Sequence, residues 1–376
     1  MVAENTLASE PAASSARDRV QALDLLRLVA VFGVILFHYG FRGPETAGHT
    51  LVALPGLAGV ARYGFLGVPI FFVISGFVIA YSAQGRTALG FAIARFARIY
   101  PTFVLCMTAT CAAILLVGPP HFQTALSQWL ANLFIAAPAV GQPYMDSAYW
   151  SLVVEVTFYG WVTVLIATGV FPRRIDALVL AWLGLSVLNE LTIDAAAVEK
   201  VFLADDSGFF ATGLLLYELY RGRRDVRLQC LLAASIATAV FQAVHNLAWL
   251  RGQTGTAFDD WIVAAICLAS IWIIFRATQI RMLPLPPAIV IALGGLTYPL
   301  YLLHQKLGYV VLTWVQPGAA PPMLAVTIVA GTVLMSWLVW RVFERTAQPW
   351  TRQALTQWAS RFGWSVKAAP AIGPAI

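Results

Sequence analysis

Apolar residues run through this chain in long blocks, separated by short segments rich in arginine, proline or glycine. About 20 apolar residues in a row are enough to cross a bilayer as a helix. Ten blocks of that kind are expected, near 20–41, 62–83, 97–118, 148–169, 174–191, 207–221, 228–247, 258–276, 286–311 and 322–344. The sixth is short, and the ninth is entered through Pro284, Pro286 and Pro287. The first is longer than the roughly 7–15 apolar residues of a signal peptide. It also carries Asp24, Arg27 and His38, so it reads as an uncleaved transmembrane helix. The segment 122–137 is apolar but short, and a full span there would invert every later loop. It reads as a re-entrant or surface-lying outer segment. The pattern predicts an all-α polytopic integral membrane protein of about ten transmembrane helices. Its parts are a flexible cytoplasmic N-terminus (1–19), a membrane domain (20–349) and a cytoplasmic C-terminal tail (350–376).

The basic residues give this arrangement a direction. With both termini in the cytoplasm, 18 of the 24 Lys and Arg fall in cytoplasmic segments, among them Arg17, Arg86, Arg173, Arg223 and Lys367. Arg42, Arg62, Lys200, Arg251 and Lys306 fall outside, and Arg27 lies within the first helix. Positive residues resist translocation, so such a split marks the cytoplasmic side. Composition agrees: 60% of the 376 residues are hydrophobic and only 11% charged, against roughly a quarter charged in soluble chains. A soluble enzyme, a disordered chain and a disulfide-built secreted domain are excluded. The net charge of +6 follows from the cytoplasmic loops and does not point to nucleic acid. Cys106, Cys111, Cys230 and Cys267 lie in apolar stretches and read as packing residues; no metal ligand set is expected.

Ionisable groups at membrane depth are costly and point to function. Arg27 and His38 are eleven residues apart, which is about 20° from three full helical turns and about 16 Å along the axis. They share a helix face, and Asp24 lies one turn before Arg27. Arg95 and Arg98, in the cytoplasmic loop before the third span, make an i, i+3 fork suited to phosphate oxygens. Ser151, Glu155 and Tyr159 repeat at i, i+4 and i+8 on one face. Glu155 is expected about 8 Å below the outer surface, at the depth of His38. A fourth cluster is Tyr298, Tyr301 and His304. Each also fits a structural role: a capping Asp24–Arg27 pair, ordinary cytoplasmic arginines, a structural Glu155 ion pair. His49, His121 and His245 read as solvent-facing.

These residues resemble the acyltransferase family 3, membrane acyltransferases that include polysaccharide O-acetylases and macrolide acylases. Arg27-x10-His38, Gly67-Val-Pro-Ile-Phe-Phe-Val-Ile-Ser75-Gly-Phe77, Arg95-x-x-Arg98 with Ile-Tyr-Pro, Trp150-Ser-Leu with Glu155, and Tyr298-x-x-Tyr301-Leu-Leu-His304 carry the resemblance. It covers about Gln21 to Pro349. It implies acyl transfer, usually of acetyl, from cytosolic acyl-CoA to a hydroxyl of a glycan or natural product, in the bacterial cytoplasmic membrane. Some relatives carry a fused extracytoplasmic hydrolase-like domain; none is expected here, and a separate extracytoplasmic protein is the partner that could supply one. His38 is the expected general base, with Glu155 as its orienting partner; a covalent acyl-histidine is the second route. Arg27, Arg95 and Arg98 are expected to hold the CoA phosphates. Ser151, Tyr159, Tyr301 and His304 are expected at the substrate. A transporter or flippase of a glycan or lipid-linked precursor is the alternative, and a non-catalytic sensor or scaffold a third reading.

Overall fold

The structure is a computed structural model and describes residues 21–43, 54–118, 122–280, 283–315 and 321–366. The N-terminal segment 1–19, His49, His121, Arg281, Lys367 and the end of the tail lie outside the described residues. Within the described residues the chain is helical throughout.

Helix α1 (Gln21–Phe37) continues into a π-helical turn, His38–Arg42. It is followed by α2 (Gly67–Ala83), α3 (Ala88–Val117), the short α4 (Leu126–Asn132), α5 (Trp150–Ala167), α6 (Ile175–Leu188), α7 (Ser207–Tyr220), α8 (Val226–His245) and α9 (Asp260–Thr278). Then come α10 (Pro287–Leu303), α11 (Lys306–Val315), α12 (Pro322–Leu338) and α13 (Arg345–Arg361). Eight helical stretches are long and apolar enough to cross a membrane, and nine if the bent pair α10–α11 forms one span. The sixth expected span, α7, has 14 residues, about 21 Å of helix, and does not reach that length. It is nonetheless buried from Ser207 to Tyr217, inside the bundle. The 122–137 segment holds only the seven-residue α4, far too short to span.

Two sequence expectations change. Arg95 and Arg98 are not in a loop. Thr87 caps α3 by accepting from the Gly90 amide at 3.1 Å, so the helix begins at Ala88 and both arginines lie within it. The apolar count began the span only where the arginines end. The ninth span is not straight either: α10 and α11 are bent by 64° at His304–Gln305. Pro299 sits one turn before the break, and the freed carbonyls find other donors. Tyr39 donates to the His304 carbonyl at 2.7 Å and Tyr149 to the Leu302 carbonyl at 3.3 Å. Asp146 accepts from the Lys306 amide at 2.7 Å, and Gln305 donates to Ser147 Oγ at 2.8 Å.

Packing divides into two apolar cores. One joins α2, α6, α7, α8 and α9, and has Phe72, Phe210 and Phe158 stacked at its centre, with ring centroids 4.7 and 4.2 Å apart. There α2 and α7 cross at Gly76 and Gly213, where a Cβ on either residue would run into the other helix's backbone. Small residues let membrane helices approach this closely. The second core joins α3, α10, α11 and part of α12, with Phe103, Met107, Leu300 and Leu312 fully buried. Helices α1 and α5 contribute to both cores. The site lies along the seam between them.

Candidate active site

Two cavities lie on this seam. The first, of about 550 Å³, is lined by Arg27, Arg95, Arg98, Glu155, Tyr159 and Glu344 among others. The second, of about 700 Å³, is lined by His38, Arg42, Asp205, Asp206, Trp150 and Gln305 among others. Val34, Val68 and Tyr301 line both. The eleven-residue spacing on α1 thus sends Arg27 to one cavity and His38 to the other.

The arginine-lined cavity is strongly polar for its depth. Arg98 pairs with Glu344, which also accepts from Thr102 Oγ1 at 3.3 Å and is 3% exposed. Arg27 lies 3.6 Å from Asp24 and sits over the Phe71 ring. Arg95 lies over the rings of Phe91 and Tyr159, and its buried Nε has no hydrogen-bond partner. Ser151, Glu155 and Tyr159 all line this cavity, as one helix face should. Glu155 Oε1 accepts from Ser75 Oγ at 2.8 Å and from the Tyr159 hydroxyl.

That arrangement corrects the expected base–orienter pair: no hydrogen bond joins Glu155 to His38. The Glu155 carboxylate is committed to Ser75 and Tyr159 and faces the other cavity. The neighbour of His38 is His304, with ring centroids 5.3 Å apart. His304 is fully buried, and its Nδ1 lies 2.7 Å from the Tyr301 carbonyl. A carbonyl only accepts, so this contact places the proton on Nδ1 and leaves Nε2 as a bare acceptor. That Nε2 and the Nδ1 of His38 are both buried without a hydrogen-bond partner. A buried polar atom with no partner calls for an explanation; His38 lines the second cavity, whereas His304, expected at the substrate, lines neither. Phe37 and Tyr309 wall the His38 ring, and Tyr309 donates to the His38 carbonyl at 3.0 Å.

Tyr301 stands between the cavities. Its hydroxyl lies 2.7 Å from Ser151 Oγ and 3.1 Å from the Ala148 carbonyl. Beyond the wall, Asp205 and Asp206 face the His38 cavity. Burial, then Asp205 and Glu190, push the Asp206 carboxyl up to about 8; burial, then Glu199, push Asp205 up to about 6. Sequence reasoning missed these acids as site residues because they read as outer-loop charge. It also missed Ser75, a lone hydroxyl in an apolar run, and Glu344, a lone carboxylate at the end of the last apolar block. Among the described residues no group of three His, Cys, Asp or Glu is placed to hold a metal ion.

An arginine-lined cavity thus backs onto a histidine-lined one, with Tyr301 common to both. The family described as Acyltransferase domain, acyltransferase family 3, matches residues 20–341, and the chain belongs to it. The protein is a membrane acyltransferase. It is similar to Putative membrane-bound transacylase BcsY of Komagataeibacter xylinus, with 24% identity over 375 aligned residues, 90% of this chain and 85% of that one. No solved structure matches the chain.

Proposed function

We propose that the protein moves an acyl group, acetyl in the first instance, from acyl-CoA to a hydroxyl of a glycan or natural product. The observation that carries this reading is the pair of cavities sharing the Tyr301 wall. The donor's phosphates suit Arg27, Arg95 and Arg98, since guanidinium groups grip phosphate oxygens with two parallel hydrogen bonds. The acceptor suits the other cavity, where Trp150 and Trp249 offer flat apolar faces and Asp205, Asp206 and Gln305 offer hydrogen bonds. The arginine-lined end is the cytoplasmic one in this reading, as the basic residues suggest, in a bacterial cytoplasmic membrane.

The chemistry follows from the groups present. His38 takes the proton of the acceptor hydroxyl through an unoccupied ring nitrogen. The hydroxyl oxygen then attacks the thioester carbonyl carbon, and the C–S bond breaks. The CoA thiolate leaves and regains a proton from the imidazolium, so the base is restored. His304 stands beside His38 with its Nδ1 on the Tyr301 carbonyl. The Ser151–Tyr301 pair, whose hydroxyls bond each other and the Ala148 carbonyl at rest, turns a proton from that carbonyl to the developing oxyanion at the wall. In the donor cavity Glu155 anchors Ser75 and Tyr159, which sits under Arg95. A carrier of glycan or lipid-linked precursors would also place cavities back to back. Purified protein in nanodiscs, given labelled acetyl-CoA and a panel of hydroxyl acceptors, separates the two readings. An acyltransferase releases one CoA for each acceptor acylated; movement of acceptor without CoA release would sink the proposal.

A further inference from the structure

The donor cavity does not end at the residues matched by the family. Arg345 and Gln348, beyond residues 20–341, also line it. Arg345, Gln348 and Arg352 lie on α13 at i, i+3 and i+7, an arc of about 60° at 100° per residue. Arg345 and Gln348 line the cavity and Arg352 continues their face; after α13 the chain folds back, and the Ser365 and Val366 carbonyls accept from Thr87 Oγ1 at 3.3 and 3.1 Å, at the start of α3. Arg86 lies beside that cap. Its guanidinium is held below its usual range by burial, then by the charges of Arg95 and Arg352.

The cations here divide into two kinds. Arg27 is matched by Asp24 and Arg98 by Glu344. Among the described residues no carboxylate pairs with Arg86, Arg95, Arg345 or Arg352. Arg95 is set deepest, with a buried Nε left without a partner. Arg345 stands at the mouth over the Trp340 ring, at 5.7 Å. Like charges gathered around one opening repel unless an anion sits among them. One phosphate group near Arg95 does not satisfy the mouth as well. The geometry points to a second anion subsite, formed by Arg345, Arg352 and Arg86, that takes the phosphomonoester on the nucleotide end of the acyl-CoA, while Arg95 and Arg98 take its diphosphate. This rests on the reading of the cavity as the donor site.

The test is binding of CoA and of 3′-dephospho-CoA to the purified full chain, in nanodiscs of phosphatidylcholine and again with phosphatidylglycerol added. Wild type is expected to bind CoA about tenfold more tightly than 3′-dephospho-CoA, the worth of one or two charge-assisted hydrogen bonds. The Arg345→Ala/Arg352→Ala variant should bind the two alike. It should keep wild-type affinity for 3′-dephospho-CoA, which also reports that it is folded. Arg352→Ala alone, at an exposed position, should lower the preference about threefold. A variant that keeps the full preference in both lipids overturns the subsite. Equal affinity of wild type for the two compounds overturns it as well. Failure of wild type to bind either compound removes the donor reading itself.

Discussion

The hydroxyl of Tyr301 lies 2.7 Å from Ser151 Oγ, and the same tyrosine lines both the arginine cavity and the histidine cavity. In the proposed reaction an acyl group reaches the acceptor across the wall formed by Tyr301, Val34 and Val68. Tyr301→Phe keeps the ring and removes the hydroxyl. The expected result is a transfer rate about 10²-fold lower with the KM for acyl-CoA within about twofold of wild type. Kinetics at saturating acceptor decide the point, and a variant that changes only KM would place Tyr301 in donor binding instead.

His38 and His304 are neighbours, and Glu155 is bonded elsewhere, so two double variants should behave differently. His38→Ala is expected to lower transfer by about 10²–10⁴-fold, the span of a general base. Adding His304→Ala should cost little more, because groups acting as a unit are not additive. Adding Glu155→Gln to His38→Ala should multiply the two single losses, since the residues share no hydrogen bond and line different cavities. Acceptor acylation at matched membrane levels measures both, and the reverse pattern would restore Glu155 as the partner of the base.

Glu344 holds Arg98 in the donor cavity. Glu344→Gln keeps the shape and removes the charge, which is expected to cost about 2 kcal/mol of stability and to weaken CoA binding about tenfold. Arg98→Ala should weaken CoA binding at least as much. If Glu344→Gln binds CoA as wild type does, Arg98 needs no partner to be placed.

Asp206 makes stability depend on pH. Its carboxyl loses a proton near 4 when unfolded and at about 8 when folded. The folded chain therefore holds the extra proton between those values, and stability falls as pH rises through that window. Asp206→Asn removes this dependence. The Tm of wild type should fall by a few degrees more than that of the variant between pH 6 and pH 9; parallel curves would count against it.

Orientation is open to a direct check. Reporter fusions after Val198 and Arg223 should report opposite sides of the membrane, with Arg223 cytoplasmic. Both on one side would mean that α7 does not cross.

What was legible in the sequence was local. The face shared by Arg27 and His38, and that shared by Ser151, Glu155 and Tyr159, follow from helical period alone; the second lies along one cavity, and the first runs from that cavity at Arg27 to the other at His38. The approach of His304 to His38 was not legible. It depends on the bend after α10, which is fixed by hydrogen bonds donated by Tyr39 and Tyr149 and accepted by Asp146, residues far away in the chain. Arg95 and Arg98 were displaced into a loop because a count of apolar residues cannot see a helix continued by a threonine cap. Glu344 was hidden for a related reason: a single carboxylate at the end of an apolar block looks like the start of a tail until Arg98 is seen beside it.

The crossing of α2 and α7 at Gly76 and Gly213 has a mechanical consequence. With backbone resting on backbone, neither helix can turn or slide without collision, so this half of the molecule acts as a fixed frame. The other half carries the bend at His304–Gln305, held by single hydrogen bonds that can be exchanged one at a time. That bend, and not the glycine crossing, is the part of the fold able to shift Tyr301 and His304 together. A bulky residue at Gly213 would spread the frame and slacken both cavities at once, although it touches neither.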